Sequence, residues 1–530
     1  MNRRLLLILL LGLLVRGALL IHFADAPLNI WDERDYNKLA VSLATRGEFA
    51  FTAGTLSSAR PPLYPALVSV LYRLFGVENW LAVRIFQLIL SLAIVYLVYW
   101  LGRMAYRERI GLWTAGFLCF YPTFLGYTNL LLTELLFTFI LCLIALAVLL
   151  AFRNRSLTWL TLAGFLIGLG ALARSILWLF PPVFGLFVLI VWPAPFWRRI
   201  LGVALLCCSF SVTIAPWVLR NTRVQHTTVI IDVMGGRNFM MGNYEYTPIA
   251  RAWDAANITG EQYWGRVLAA KHPEAAGMTQ GQIDKLAMRA GIDFVISHPG
   301  LTLKRDLVKF FNFWQLEREL IAGAADGNFG PLPKPALVLM AAFILVSYAV
   351  LIGLATFGVF LSPPEDRRFH GFLILLIGYQ CLIYSLSFAH SRYHVPCLFI
   401  LALYAAPAML SLRELWRRRR SRSFIAATLC FLIIAASWVW EVVAVDLAFS
   451  SAPSPQSITR QVLPSEACIG QVVVHNPEEH WSVRCNRTPP LWLHLSPSEL
   501  QSQPIHGSGS MFDSDLHPQT SLHSRRSHGA

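Results

Sequence analysis

Two acids stand side by side, Asp32 and Glu33, just past the first long apolar run, and a guanidinium, Arg60, follows in the turn Arg60-Pro61-Pro62. An ionised carboxylate beside a membrane can take a proton from a hydroxyl within its reach. A guanidinium on a rigid turn at headgroup level can grip a phosphate by a bidentate, charge-assisted contact. Each proline fixes φ and restricts the residue before it, so the turn is stiff. Plainer readings exist for both. Acids are favoured in a first helical turn, where they complement the dipole, and the Pro-Pro turn can simply end a loop before a helix over 63–75. Capping explains one acid well and a pair facing Arg60 less well.

Other candidates share a pattern, since they are charged groups where apolar runs end. Glu134 in NLLLTELLFTF opens one such run, Arg174 in GALARSILWLFPP lies between two, and Arg220 in APWVLRN closes another. His390, Arg392 and His394 flank Tyr393 in AHSRYHVP. Acids at the edge of hydrocarbon are costly and usually face protein or water. The plain readings are a helix N-terminal acid for Glu134 and snorkelling for the arginines. Arg16 lies deeper in the first run and either snorkels or faces a cavity.

What must position these groups is a membrane-embedded bundle. Hydrophobic residues make up 56 % of the 530, charged residues 14 %, and the mean hydropathy is +0.53. So few charges cannot solvate a chain of this size in water. The formal charge of +14 does not signal nucleic acid, because the basic residues sit in short clusters between apolar runs. Runs long enough to span give about eleven helices, over 5–23, 81–101, 111–131, 133–152, 157–173, 176–192, 200–218, 335–361, 370–388, 395–411 and 424–441. If these alternate, Arg3-Arg4, Arg103/Arg107/Arg109, Arg153/Arg155, Arg198-Arg199, Arg367-Arg368 and Arg417–Arg420 fall on one side, which is cytoplasmic by the positive-inside rule. The N-terminus is then cytoplasmic, and the first run is a retained helix rather than a cleaved signal. Asp32, Arg60, Glu134, Arg174 and Arg392 gather on the external side.

Three pieces lie outside on this reading: a loop over 24–80, a long loop over 219–334, and the segment from 442 onward. The long loop carries amphipathic stretches suited to helices on or under the membrane surface. The transmembrane core spans 1–441. A small external segment over 442–494 contains strand-like IGQVVVH and HWSVRC, and a Ser/His/Pro-rich tail over 495–530 has the composition of disorder. Seven of the nine cysteines lie in apolar spans as ordinary small hydrophobes. Cys468 and Cys485 do not, and in an oxidising compartment they can form a disulfide. No Cys/His spacing resembles a zinc site.

The motifs D-E-x-x-Y, RPPLYP, LLTELLF, GLGALARS, APWVLRN and SRYHVP, in that order over roughly residues 1–410, resemble the GT-C integral-membrane glycosyltransferases. They are most similar to the family 39 branch, with the bacterial relatives of protein O-mannosyltransferases and the lipid A aminoarabinose transferase. The resemblance implies an all-α polytopic bundle and a hexosyl- or pentosyltransferase. Such an enzyme takes a sugar from a polyprenyl-phosphate carrier at the outer face of the inner membrane. It implies Asp32 as the catalytic aspartate with Glu33 as its neighbour. It also implies a donor-phosphate and substrate site of Arg60, Tyr64, Glu134, Arg174, Arg392 and Tyr393. Ala59 stands where some relatives have an acid, so a metal held through that acid is unsupported. Guanidinium groups can serve a monophosphate leaving group, no cofactor is required, and a divalent metal is left unassigned. The partners implied are the lipid-linked donor, a lipid, glycan or protein acceptor, and membrane lipid, with no nucleic acid. A secondary transporter or flippase is the competing class, though no internal repeat is visible. A ligase moving a whole lipid-linked glycan is the other.

Overall fold

The computed structural model describes residues 2–330 and 332–446 and the strand segments 472–474, 481–485 and 491–495. Two compact units result, Met1–Ala256 with Gly277–Val439, and Asn257–Ala276 with the residues from Trp440 onward. The first is nearly all helix.

Its first half contains α1 (Arg3–His22), α2 (Trp31–Arg46), α3 (Leu63–Phe75), α4 (Trp80–Ala105), α5 (Glu108–Cys119), α6 (Pro122–Gly126), α7 (Glu134–Asn154), α8 (Leu157–Ala173), α9 (Phe180–Val191), α10 (Phe196–Gln225) and α11 (Gly235–Met241). Numbering α12 (Trp264–Lys271) in the second unit, the first continues with α13 (Gln280–Ser297), α14 (Pro299–Phe313), α15 (Glu319–Ala325), α16 (Lys334–Leu361), α17 (Arg367–Leu386), α18 (Leu398–Leu410), α19 (Leu412–Arg417) and α20 (Arg422–Trp440). A short antiparallel hairpin, β1 (Ala50–Thr52) with β2 (Thr55–Leu56), pairs Ala50 with Leu56 in the first loop. In the second unit β3 (Val472–Val474), β4 (Trp481–Cys485) and β5 (Leu491–Leu495) form an antiparallel sheet in that order, and the two expected strands are β3 and β4. The expected Cys468–Cys485 bridge and the tail over 495–530 lie outside what is described; of Cys485 only the backbone is.

Among the described residues, 8 helices are long and apolar enough to span a membrane. Eight of the about eleven expected runs are these helices, and the other three are interrupted or shorter. The run over 111–131 is not one helix. Tyr121 is extended (φ −69, ψ 121) and Pro122 starts α6, because proline cannot donate to the preceding turn. Leu157–Ala173 has 17 residues and the stretch Ser175–Val191 opens as a 3-10 turn, so these two are shorter apolar helices. The chain is a multi-pass membrane protein.

Close helix contacts use glycine. A Cβ on Gly164 of α8 would strike the Leu206 carbonyl of α10, and one on Gly358 of α16 would strike the Tyr404 carbonyl of α18. Small residues allow this approach in lipid, where no hydrophobic force drives helices together. Buried cations tie the loops down. Arg84 of α4 donates to the carbonyls of Phe23 (3.1 Å), Ala24 (2.6 Å), Ala26 (2.5 Å) and Asn129 (3.0 Å). Gln87, one turn on, donates to Thr128 (3.2 Å) and Leu130 (2.7 Å). The chain after α1 and the stretch before α7 are thereby held against one helix. Arg16 does not snorkel. It is fully buried between helices, donating to Ser91 Oγ at 2.8 Å and the Cys119 carbonyl at 3.0 Å.

Candidate functional site

α2 begins where Glu33, three residues in, accepts the Ile30 N–H at 3.2 Å, and ends at Gly47 in the left-handed region (φ 72). Tyr36, Leu39 and Ala40 face the core. Asp32 and Asp35, three apart, therefore share another side of the helix. That side meets the Arg60-Pro61-Pro62 turn. Arg60 Nη2 reaches Asp32 Oδ1 at 2.7 Å and Asp35 Oδ2 at 2.8 Å, and its Nε reaches Asp35 at 3.2 Å.

The second oxygen of Asp32 binds Arg392 Nη1 at 2.8 Å. Arg392 Nε goes on to Glu134 Oε1 at 2.6 Å, and Arg174 Nη1 meets the same oxygen at 3.0 Å. Asp35, Arg60, Asp32, Arg392, Glu134 and Arg174 thus form one row of alternating charge. They come from α2, the proline turn, the 3-10 turn before α18, the start of α7 and the end of α8. These are ends of elements, and they gather at one end of the bundle. Aromatic faces line the row. Arg60 lies 5.6 Å from the Tyr36 ring centroid, and Arg174 lies 5.7 Å from that of Tyr393. Tyr393 stacks on Tyr384 at 4.1 Å.

Burial alone would raise the proton affinity of Asp32, but Arg60 and then Arg392 outweigh it and hold its carboxyl well below the usual carboxylate range. Arg60 in turn is held charged against burial by Asp32, Tyr36 and Asp35. A further carboxylate, Asp232 of the long loop, stands nearby. Its Oδ1 accepts the Met234 N–H at 3.2 Å, and the Ser175 hydroxyl is a second partner. Val233 N–H donates to the Ser58 carbonyl at 3.1 Å, which pins the segment two residues before Arg60. Burial pushes Asp232 up to about 6, against the pull of Arg60.

Of the eight site residues that the resemblance implies, Asp32, Arg60, Glu134, Arg174 and Arg392 form the row, and Tyr393 packs on it. Two do not join it. Glu33 uses both oxygens on backbone, accepting from Ile30 and from Leu131 N–H at 2.8 Å, and so ties the stretch before α7 to α2. Asp32 is partnered with Asp35 across Arg60, not with Glu33. Tyr64 is buried, donates to Gln87 Oε1 at 2.9 Å and packs edge-on to Tyr36 at 5.3 Å, so it backs the site without lining it. Asp35 and the long-loop acids Asp232, Glu317 and Glu319 escaped notice. The D-x-x-D spacing at 32 and 35 was the readable signal for the first.

Beside Arg392 opens a cavity of about 230 Å³ lined by Tyr127, Trp253, Glu319, Asp326, Phe329 and Arg392 among others. Just behind it, Glu317 Oε1 faces His394 Nε2 at 3.1 Å, while its other oxygen accepts from Tyr121 (2.8 Å) and Thr123. His394 Nδ1 meets the Phe313 carbonyl at 2.7 Å. This cluster moors the end of the long loop to the bundle. Among the described residues no group of three His, Cys, Asp or Glu side chains is placed to hold a metal ion.

No curated protein matches the chain. In fold it is similar to the archaeal oligosaccharyltransferase AglB of Archaeoglobus fulgidus, solved with an inhibitory peptide and a dolichol-phosphate, at 15 % identity, 87 % of this chain, 58 % of that one and TM-score 0.43. It is also similar to ArnT of Cupriavidus metallidurans bound to undecaprenyl phosphate, at 14 % identity, 78 % of this chain, 79 % of that one and TM-score 0.38. The chain thus spans about 58 % of the AglB chain's length. Residues 59–218, which contain Arg60, Glu134 and Arg174, match the family described as dolichyl-phosphate-mannose-protein mannosyltransferase. Over that segment the chain is similar to the dolichyl-phosphate-mannose-protein mannosyltransferases, a likeness that RPPLYP, LLTELLF and GLGALARS also carry.

Proposed function

We propose that the protein is a membrane glycosyltransferase that moves a sugar from a polyprenyl-phosphate carrier to an acceptor at the outer face of the inner membrane. The observation that carries this reading is the row of three guanidiniums, each already held by carboxylates, beside a cavity large enough to be a binding site. Breaking the bond between an anomeric carbon and a phosphate leaves negative charge on the departing lipid phosphate. Preorganised guanidiniums stabilise that charge without rearranging during the reaction. Three of them stand in one row, and aromatic faces next to two of them keep water away.

Each guanidinium has a carboxylate partner, so an arriving phosphate must displace one. Asp32 is the exchangeable partner. Its side chain is 25 % exposed, against 5 % for Asp35 and 0 % for Glu134. Bridging Arg60 and Arg392, it keeps both forks in register until a phosphate takes its place. A carboxylate shared by two guanidiniums is a poor proton acceptor, so Asp32 acts here as the organiser of the phosphate site. The family match over 59–218 and the enrichment of arginine clusters on the other side of the spans support the carrier and the outward placement.

The test is incubation of the purified protein, reconstituted in sealed vesicles, with dolichyl-phosphate mannose carrying labelled mannose. The expected result is release of dolichyl phosphate and labelling of an acceptor. Passage of the intact lipid-linked sugar across the bilayer, with no dolichyl phosphate released, would replace this reading with a flippase.

A further inference from the structure

At the cavity beside Arg392, Glu319 of the lining is paired with an imidazole that the ion row does not use. His390 Nδ1 accepts the backbone N–H of Arg392 at 3.0 Å. That nitrogen must be unprotonated, so the ring carries its proton on Nε2. Nε2 faces Glu319 Oε2 at 3.4 Å, and the Trp253 ring packs edge-on against the imidazole at 4.6 Å. Burial, Arg392, His394 and Arg251 outweigh the pull of Glu319 and push His390 down to about 4, so the ring is neutral at physiological pH. The ring is thus fixed in tautomer and orientation and has no free lone pair for a proton. Its free function is to aim Glu319.

Glu319 lines the same cavity as Arg392, one imidazole away from it, and its side chain is 37 % exposed. It differs from the acids of the row. Asp32 gives both oxygens to guanidiniums. Glu134 is fully buried beneath two arginines. One oxygen of Glu319 faces the His390 ring at 3.4 Å, and the side chain lines the cavity that Arg392 also lines. Glu317, two residues back, is buried and committed to Tyr121, Thr123 and His394.

We propose that Glu319, aimed by His390, takes the proton from the acceptor hydroxyl as that oxygen bonds to the sugar's anomeric carbon. This rests on the transferase reading above. The bond formed joins the acceptor oxygen to the anomeric carbon. The bond broken joins that carbon to the phosphate oxygen, and the electron pair leaves with the lipid phosphate onto Arg392 and Arg60. The acceptor's proton goes to the Glu319 carboxylate, so no oxidant, reductant or further reactant is needed. Glu319 is the catalytic residue and His390 a positioning residue.

The test compares acceptors that do and do not need a base. The full-length protein in nanodiscs is given dolichyl-phosphate mannose with a Ser/Thr peptide, with water alone, or with azide, which is already an anion. For Glu319→Gln, transfer to peptide and water should fall by roughly 10²–10⁴. Formation of mannosyl azide and the KM for dolichyl-phosphate mannose should stay near wild type. Glu319→Asp should restore part of the peptide rate. His390→Ala should lower peptide transfer by a smaller factor and spare the azide reaction. Equal losses with azide and peptide would make Glu319 a structural residue, and an unchanged peptide rate would exclude it as the base. Either overturns the proposal while wild-type turnover keeps the transferase reading. A wild type that forms mannosyl azide but transfers to neither peptide nor water also overturns it. A wild type that releases dolichyl phosphate under no condition refutes the transferase reading, and this assignment with it.

Discussion

Two sets of buried arginines are used in opposite ways. Arg84 and Arg305 spend their donors on backbone carbonyls, Arg84 on four and Arg305 on those of Tyr244 (2.8 Å) and Thr247 (2.6 Å). Arg220 does much the same, holding the carbonyls of Ser57 and Phe49. Arg60, Arg174 and Arg392 pair with carboxylate side chains instead. A carbonyl cannot leave its guanidinium without unfolding the loop that carries it. A carboxylate can swing away when a better anion arrives. The partner, rather than the depth of burial, separates arginines that build the fold from arginines that can bind a ligand.

The comparison is broken most severely at Arg84. Arg84→Ala strands several buried carbonyls, each charge-assisted bond contributing about 1.5–3 kcal/mol. The variant should fail to survive detergent extraction as a monodisperse protein, read by size-exclusion chromatography. Arg392→Ala should stay folded and lose roughly 10²–10³ in turnover, the usual cost of one preorganised donor at a developing charge. Recovery of folded Arg84→Ala with normal turnover would erase the distinction.

Asp32→Asn sharpens the contrast within the row. It removes the anion that competes with phosphate for two guanidiniums. Dolichyl phosphate should bind about tenfold or more tightly, and turnover should fall because product leaves slowly. Calorimetry of dolichyl phosphate binding decides, and weaker binding would mean that Asp32 is not the displaced partner.

Asp232→Asn gives a smaller effect with a pH signature. Asp232 is raised from its ordinary 3.8 to about 6, so the folded protein holds that proton more tightly than the unfolded chain does. Wild type should therefore lose stability as pH rises from about 4 to about 6, while the Asn variant should not. Relative to wild type, the variant's stability should be unchanged at pH 4 and higher above pH 6, by no more than about 1–2 kcal/mol, read as a rise in Tm. Glu33→Gln should be the mildest, costing about 1 kcal/mol of stability and leaving the kcat for mannose transfer near wild type. A large loss of kcat there would return Glu33 to the chemistry.

Much of the row was readable in the sequence because its members break a rule. Arg60 lies in the first loop and Arg174 and Arg392 at the ends of apolar runs, all where the positive-inside pattern does not put arginine, and Glu134 opens an apolar run. Glu33 was harder to place. Neighbouring acids on a helix point in different directions, and spacing does not say which one meets a backbone N–H. The interruption at Pro122 was hidden because the residues on both sides are apolar, so hydropathy cannot see a break that is only conformational. Glu319 and Asp232 were invisible for a different reason. They lie in a long loop, and their nearness to Arg392 and Arg60 comes from how that loop folds back, which no local pattern encodes.

The alternating row has one more consequence. Three positive and three negative groups sum to zero, so the row by itself exerts little pull on anions beyond the Debye length of about 8 Å. Inorganic phosphate or a nucleotide in solution gains no steering toward it, as it would toward an uncompensated arginine cluster. A phosphate carried on a lipid does not need such steering, because its tail confines it to the membrane. Charge balance in the resting site thus favours ligands delivered within the membrane over those delivered from water.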